Sequence, residues 1–214
     1  MQKFYSEKEL ADMLGVSRNT VREAIRQLEQ EGILYSKQGV GTFVISSNNS
    51  VKTNINNLES STVIIKDNGY EPGTIKLSSQ QIDAPKKIVK KLDLDENNKQ
   101  EIFYVQRVRT ANKEPVVFVE DYLPVSKQIV ENFETEFDES LLDFLEKLGY
   151  STQFSLTTIK SVISNEKIME KMNLKKPKAL LHLEQLHFTN NGQPIFYSDS
   201  YFISDKFEFS VVRK

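Results

Sequence analysis

The sequence predicts an α+β protein in two parts: a small N-terminal unit of two helices and a hairpin, and a larger C-terminal unit in which helices pack on an antiparallel sheet. Three observations lead there. The stretch SSNNSVKTNINNL at 46–58 is dominated by Asn and Ser and breaks the hydrophobic periodicity, as a polar linker does. The residues before it carry apolar positions at helical spacing, followed by two short β-type runs. The residues after it alternate strand-like and helix-like segments and contain an internal duplication. The expected boundaries are 1–45 for the first unit, 46–58 for the linker and 59–214 for the second, which is long enough to bury its own core.

The first unit can be read residue by residue. Ser6 followed by Glu9 is a capping-box signal that opens a helix running to about Leu14, with Gly15 ending it. Leu10, Ala11 and Leu14 form its apolar stripe. Ser17 caps a second helix, from Arg18 to about Glu31, which Gly32 stops. Val21, Ala24, Ile25 and Leu28 supply its buried face. Ile33–Tyr35 and Thr42–Ile45 are the two strands, around the turn Lys37-Gln38-Gly39-Val40-Gly41.

In the second unit, KIVKKLDL at 87–94 parallels KIMEKMNL at 167–174, Thr110–Pro115 parallels Thr189–Pro194, and Glu120-Asp121-Tyr122 parallels Asp199-Ser200-Tyr201. Each half reads as strand, helix, hairpin. Two copies are too few for a solenoid. Two such halves sharing one antiparallel sheet, with helices on one side, is the expected packing.

Composition narrows the function. The chain has 214 residues with 28 Lys+Arg against 30 Asp+Glu, so the net charge of −2 gives no general basic excess and nucleic-acid binding requires a local patch. Zero cysteines exclude disulfides and thiolate metal sites. The two histidines, His182 and His187, lie in one strand-like run and read as ordinary strand residues; no metal site and no cofactor are expected. The N-terminus shows no signal peptide and no run reaches the length of a membrane span, so the expected compartment is the cytoplasm, without membrane contact.

Arg18, Arg22 and Arg26 recur every four residues and place three guanidinium groups along one side of the second helix. A solvated charge row is the ordinary explanation. Against it, the row starts at a helix N-terminus, where backbone N–H groups also favour phosphate. Ser17, Asn19 and Thr20 add uncharged donors at the tip that would enter a major groove, and the hairpin follows. This is the layout of a winged helix-turn-helix.

The segment SEKELADMLGVSRNTVREAIRQLEQEGILYSKQGVGTFV resembles the DNA-binding signature of the GntR family of bacterial transcription regulators. The resemblance implies that Lys8 stands where the family usually has a DNA-contacting Arg, and that Arg18 and Arg22 are recognition-helix arginines. It places Ser17, Asn19 and Thr20 at the contacting tip, and Gly39 and Gly41 as wing glycines whose backbone approaches the minor groove. Arg26 falls farther along, as a phosphate contact or a solvated residue. The family usually has another helix before the position of Ser6, so either the true start lies upstream of Met1 or the domain is truncated at its N-terminus.

The tracts QRVRTANKEPVVFVEDYLP and NGQPIFYSDSYFISDKFEF resemble the UTRA effector domain of the family's HutC branch, similar in fold to chorismate lyase. The resemblance implies a DNA-binding regulator, a repressor by family precedent, whose grip on its operator is changed by a small phosphorylated or carboxylated effector. It also implies a homodimer, since one winged helix makes too few base contacts for tight specific binding.

The residues suggest where an anion would bind. A four-residue hairpin loop at Ala111–Glu114 makes Arg107 face Phe118, and alternation then puts Arg107, Arg109, Phe118 and Glu120 on one face of the sheet. Two arginines two residues apart can clamp a phosphate or carboxylate, with Glu120 accepting from ligand hydroxyls. The competing reading is a surface Arg–Glu pair of little consequence. Aligned through the prolines, the duplication sets Arg107 against Leu186 and Arg109 against Phe188, so the cations belong to one half only. Ser155 and Thr157 are further donors or plain exposed strand hydroxyls, and Tyr197, sharing a face with Leu186, is a candidate pocket wall. Amino-sugar-phosphate sensors of this branch carry Glu and Tyr where this chain has Phe196 and Phe202, which argues against carrying over their ligand. Two alternatives stay open: a binding protein that has lost DNA recognition, and, less favoured, a lyase-like enzyme. No catalytic residues are assigned, because fold similarity alone is a weak warrant for activity.

Overall fold

A computed structural model describes residues 2–30, 32–45 and 53–211. Its contacts divide the chain into two compact units, one reaching to Asn57 and including the segment from Glu208, the other spanning Leu58–Phe207.

In the first unit a short strand β1 (Gln2–Lys3) precedes helix α1 (Glu7–Leu14), helix α2 (Arg18–Gln30) and the hairpin β2 (Leu34–Lys37) and β3 (Gly41–Val44). The capping box forms as the sequence predicts. Ser6 Oγ accepts from the Glu9 N–H, and Glu9 Oε2 accepts from the Ser6 N–H at 2.7 Å. Gly15 ends α1 in the left-handed region at φ 65°, where a side chain would be strained. The core is Ala11, Val21, Ile25 and Leu34, flanked by half-buried Leu10 and Leu28. Leu14 and Ala24, expected inside, are exposed. The hairpin lies one or two residues from its predicted place. β1 pairs with β3 and was not foreseen, because two residues give no periodicity. Glu31 and 46–52 of the polar stretch lie outside the described residues. Within that stretch, Asn54 forms a parallel bridge with Ser210, and the Ile55 N–H donates to the Ser210 carbonyl at 3.0 Å. Residues 53–57 are therefore anchored rather than free.

The second unit is a six-stranded antiparallel sheet ordered β4-β5-β6-β9-β8-β7. Its strands are β4 (Pro72–Asp83), β5 (Glu101–Ala111), β6 (Glu114–Pro124), β7 (Phe154–Ile163), β8 (Ala179–Phe188) and β9 (Pro194–Ile203). The strand order is a palindrome, as two copies of strand-helix-hairpin joined at β6 and β9 must give. Glu120 and Asp199, matched by the duplication, lie directly opposite each other at the join.

Helices cover both faces, not one. The repeated helices α4 (Lys86–Lys91) and α7 (Glu166–Lys171) pack on one face through Ile88 and Ile168. On the other lie α3 (Ser61–Asp67), α5 (Lys127–Glu136) and α6 (Leu141–Lys147), with Phe133, Leu141 and Phe144 against Phe103, Val105 and Phe196. Of these, α3 and α6 are counterparts that open the two halves: each runs seven residues from a Ser N-cap (Ser60, Ser140) and ends at a left-handed glycine followed by tyrosine (Gly69-Tyr70, Gly149-Tyr150), so only α5 lies outside the duplication. Double coverage explains why β5 is buried at nearly every position instead of alternating.

Candidate nucleic-acid interface and effector site

In the first unit the predicted DNA-contacting side chains are all solvent-facing. Residues 1–45 hold six Lys/Arg and six Asp/Glu, so attraction for DNA depends on where the charges sit. Arg18, Arg22 and Arg26 are exposed along α2, opposite the buried Val21 and Ile25. Arg22 is held by Glu7 of α1 through a two-pronged pair, Nε to Oε1 at 3.0 Å and Nη2 to Oε2 at 2.8 Å. That hydrogen bond holds the Glu7 carboxyl below its ordinary pKa. Arg26 pairs with Glu23 at 2.9 Å. Among the described residues Arg18 makes no ion pair, so the guanidinium nearest the helix tip is the one available to a phosphate or a guanine edge. Ser17 caps α2, accepting from the Thr20 N–H at 3.2 Å, which ties its hydroxyl and that of Thr20 (2.9 Å apart) to the helix start. Asn19 and Lys8 are exposed. In the wing, Gly39 has φ 74° and Gly41 φ 135°, both unfavourable for a side chain. A Cβ on Gly41 would meet Lys3 Cε at 3.1 Å.

In the second unit the register corrects the predicted anion site. Thr110 does face Pro115, but a β-bulge follows, so that Arg109 faces Val117 and Arg107 faces Val119, not Phe118. One extra residue moves its neighbours to the opposite face. Arg107 and Arg109 therefore share the α3/α6 face with Val117, Val119 and Asp121, while Phe118 and Glu120 stand on the α4/α7 face. Nor are the arginines a surface pair: Arg107 is 5 % exposed and Arg109 0 %.

Each guanidinium is engaged. Arg107 Nη2 donates to Asp121 Oδ2 at 2.7 Å and Nη1 to the Glu139 carbonyl at 3.0 Å. Asp121 also accepts from Ser198 Oγ at 2.7 Å. Arg109 donates to Thr74 Oγ1, to Thr62 Oγ1 at 2.7 Å and to Glu139 Oε2 at 3.3 Å. Burial, and then the neighbouring Arg107, lower the pKa of Arg109, opposed by Glu139. The Nε atoms of both arginines are buried without a hydrogen-bond partner. Arg107 opens on a cavity of about 40 Å³ shared with Asp121, Gln185, His187, Ser198 and Ser200, walled by Phe196, Phe202, Leu141 and Leu142. Arg109 is not among the lining residues.

The same register revises the duplication. Arg107 faces Val119 as Gln185 faces Ser198, and Arg109 faces Val117 as His187 faces Phe196. The counterparts of the arginines are thus Gln185 and His187, not Leu186 and Phe188. The second hairpin loop is one residue longer, which slides β8 by one against the alignment through the prolines. His187 stacks on Phe196 with centroids 3.9 Å apart, and burial pushes its pKa down to about 3, so it is neutral. Its Nδ1 is buried with no hydrogen-bond partner.

Glu120 and Tyr197, predicted beside the arginines, belong to the opposite face. Glu120 accepts from the Tyr104 hydroxyl and pairs with Lys167 at 2.6 Å. Tyr197 donates to Asp199 Oδ1 at 2.9 Å and lies under Lys87. His182 Nε2 approaches the same oxygen at 2.7 Å. His182, Glu184 and Asp199 have ligand atoms within 4.8 Å of one another, but Lys87 and Lys160 already pair with Glu184 at 3.2 and 3.0 Å. Ammonium groups thus stand where a metal ion would. Ser155 shares the cavity's face, opposite His187, but lies outside its lining, hydrogen-bonded to Thr157 at 3.1 Å. Sequence reading missed Asp121, Glu139, Thr62 and Thr74; for Asp121 the signal was its position beside Glu120, usable only with the bulge placed.

Comparison with known proteins agrees with both halves of this description. Residues 3–44 match the bacterial regulatory proteins of the gntR family, and residues 67–208 match the UTRA domain. The HTH-type transcriptional repressor NagR of Bacillus subtilis is 28% identical over 205 residues, covering 95% of this chain and 82% of the relative. The mannosyl-D-glycerate transport/metabolism system repressor MngR of Escherichia coli is 26% identical over 97% of this chain and 85% of its own. Among solved structures, the possible transcriptional regulator YydK of Bacillus subtilis superposes with a TM-score of 0.73 at 22% identity, covering 100% of this chain and 92% of that one, which shows a shared fold. With a helix-turn-helix of that kind, a ligand-binding UTRA domain and relatives named as regulators rather than enzymes, the chain belongs to the GntR family, HutC branch, and is a DNA-binding transcription regulator.

Proposed function

We propose that this regulator is a cytoplasmic repressor that binds a near-palindromic operator as a homodimer and is controlled by a small anionic metabolite held at Arg107 and Arg109. In this reading residues 1–45 are the DNA-binding domain, 46–58 the connection, and 59–214 the effector and dimerisation domain. Lys8, Ser17, Arg18, Asn19, Thr20, Arg22, Gly39 and Gly41 meet the DNA. No helix among the described residues is long and apolar enough to cross a membrane, which agrees with a regulator acting on DNA. Repression is supported by the names of the relatives above.

The observation that carries the effector reading is the burial of two cations on one strand beside a cavity lined by further hydrogen-bonding groups. Burying two like charges a few ångströms apart is costly unless something uses them. Ser200 adds a hydroxyl, and the stacked Phe196 and His187 give a flat wall for an apolar or sugar face. Glu120, Ser155 and Tyr197 have no place in this pocket.

Gel-shift titration of the full chain against DNA upstream of its own coding region tests the reading. A specific shift that weakens steeply with salt is expected. Phosphorylated sugars and organic acids are then added, and at least one should release the DNA from the parent protein but not from Arg107→Ala. The absence of a specific shift would defeat DNA recognition. An effector acting equally on both proteins would remove Arg107 from the site.

A further inference from the structure

Both buried arginines lean on one loop residue. Glu139, between α5 and α6, gives Arg107 its main-chain carbonyl at 3.0 Å and Arg109 its carboxylate at 3.3 Å. The other counter-charge, Asp121, belongs to strand β6 and is 1 % exposed, so it cannot move away. Glu139 differs: its side chain is 40 % exposed, and its backbone sits at φ 58°, the left-handed region that disfavours a non-glycine residue. A rotation about its side chain returns the carboxylate to water. Leu141 and Leu142, which follow it, wall the cavity, whose 40 Å³ holds about three waters at most and no metabolite. With Glu139 in place, the two arginines, Asp121 and Glu139 sum to zero charge.

We infer that Glu139 is an internal counter-anion occupying the effector's anion position, and that an effector binds by expelling it. The inference rests on the reading of Arg107 and Arg109 as the effector's clamp. Expulsion of the carboxylate frees the positive charge of Arg109, and displacement of the loop backbone frees the Arg107 Nη1 donor from the Glu139 carbonyl, beside the unpartnered Nε donors. It also takes residues 139–142 away from the cavity, giving the volume a metabolite needs. A monocarboxylate would only repeat what Glu139 already supplies, whereas a phosphoryl dianion brings a second charge and more acceptor oxygens. The device therefore selects phosphoryl groups over carboxylates, and it ties occupancy of the pocket to the position of the α5–α6 loop.

The test is calorimetric titration of the full-length protein with inorganic phosphate, and separately with acetate, at fixed ionic strength. The parent protein is compared with Glu139→Gln, which keeps the shape and removes the charge. Phosphate should bind Glu139→Gln at least tenfold more tightly than the parent, with acetate gaining less. Glu139→Gly, which tolerates the left-handed backbone, gives the same comparison should the Gln variant fail to fold. If the parent binds phosphate and neither variant binds it more tightly, Glu139 is not a competitor and the inference is overturned while the clamp stands. If none of the proteins binds phosphate, the clamp itself falls, and the inference with it.

Discussion

Asp121→Asn separates a buried ion pair from a surface one most sharply. Asp121 and Arg107 are 1 % and 5 % exposed and meet at 2.7 Å. Asn keeps the shape and can still accept from Ser198, but its amide nitrogen then faces Arg107, so the change removes the charge and the acceptor together. Arg107 would keep only the neutral Glu139 carbonyl, since the Glu139 carboxylate is directed at Arg109. Removing one member of a buried pair strands the other charge, at a cost of about 3–5 kcal/mol. At roughly 2–4 °C per kcal/mol for a unit of this size, even 3 kcal/mol lowers Tm by about 6–12 °C. Removing both charges in Arg107→Met/Asp121→Asn strands neither and should recover most of the loss. The assay is urea denaturation followed by circular dichroism for the parent, both single variants and the double variant. The expected outcome is a coupling energy of about 2 kcal/mol or more. A single-variant loss under about 1 kcal/mol, or strictly additive losses, would refute the reasoning.

Three further outcomes are expected. Burial holds the His187 pKa at about 3, whereas an unfolded imidazole titrates near 6.5, so the unfolded chain binds the extra proton in between. Stability should therefore fall as the pH drops below about 6.5, by roughly 1.4 kcal/mol per unit, and His187→Phe should flatten the profile between pH 6.5 and 5 in denaturant titrations. In salt-dependent gel shifts, Arg18→Ala should weaken operator binding by tenfold or more, while Arg26→Ala, at a side chain already paired with Glu23, should change it about threefold or less. Ser6→Ala removes a cap that accepts from the Glu9 N–H and should cost the first unit about 0.5–2 kcal/mol, read as a lower urea midpoint without a change in slope.

How much of this was legible in the sequence depends on the range of the interaction that decides each feature. The capping box at Ser6 and Glu9, the left-handed Gly15 and the start of α2 are local, and residues three apart suffice to place them. The duplication announced the palindromic sheet, because two copies of strand-helix-hairpin have few ways to share one. The site failed at a single residue. The bulge after Arg109 falls beside Pro115, which opens β6 and has no N–H for the ladder; that proline was the available signal, and the bulge exchanges Glu120 for Asp121 beside the arginines. The longer second hairpin loop caused the matching error at Leu186 and Phe188. Glu139 was invisible for another reason: it comes from 30 residues beyond Arg109, and only tertiary packing brings them together.

The corrected register also explains why a duplicated fold carries its chemistry on one side. On the α4/α7 face the two halves still mirror each other: Tyr104 meets Glu120 as His182 meets Asp199, and the matched Lys167 and Lys87 reach Glu120 and Asp199. That face is a network of paired charges and aromatic rings straddling the join, and each half supplies partners to the other. On the α3/α6 face the strand counterparts have diverged, Arg107 and Arg109 against Gln185 and His187, although the covering helices α3 and α6 are themselves counterparts. The repeated face holds the two halves together through partners drawn from both. On the other face two cations in one half stand against neutral groups in the other, which makes a directional pocket. Symmetry between the halves would place a second cation pair across the sheet centre and require a second set of counter-anions; asymmetry confines that requirement to Asp121 and Glu139.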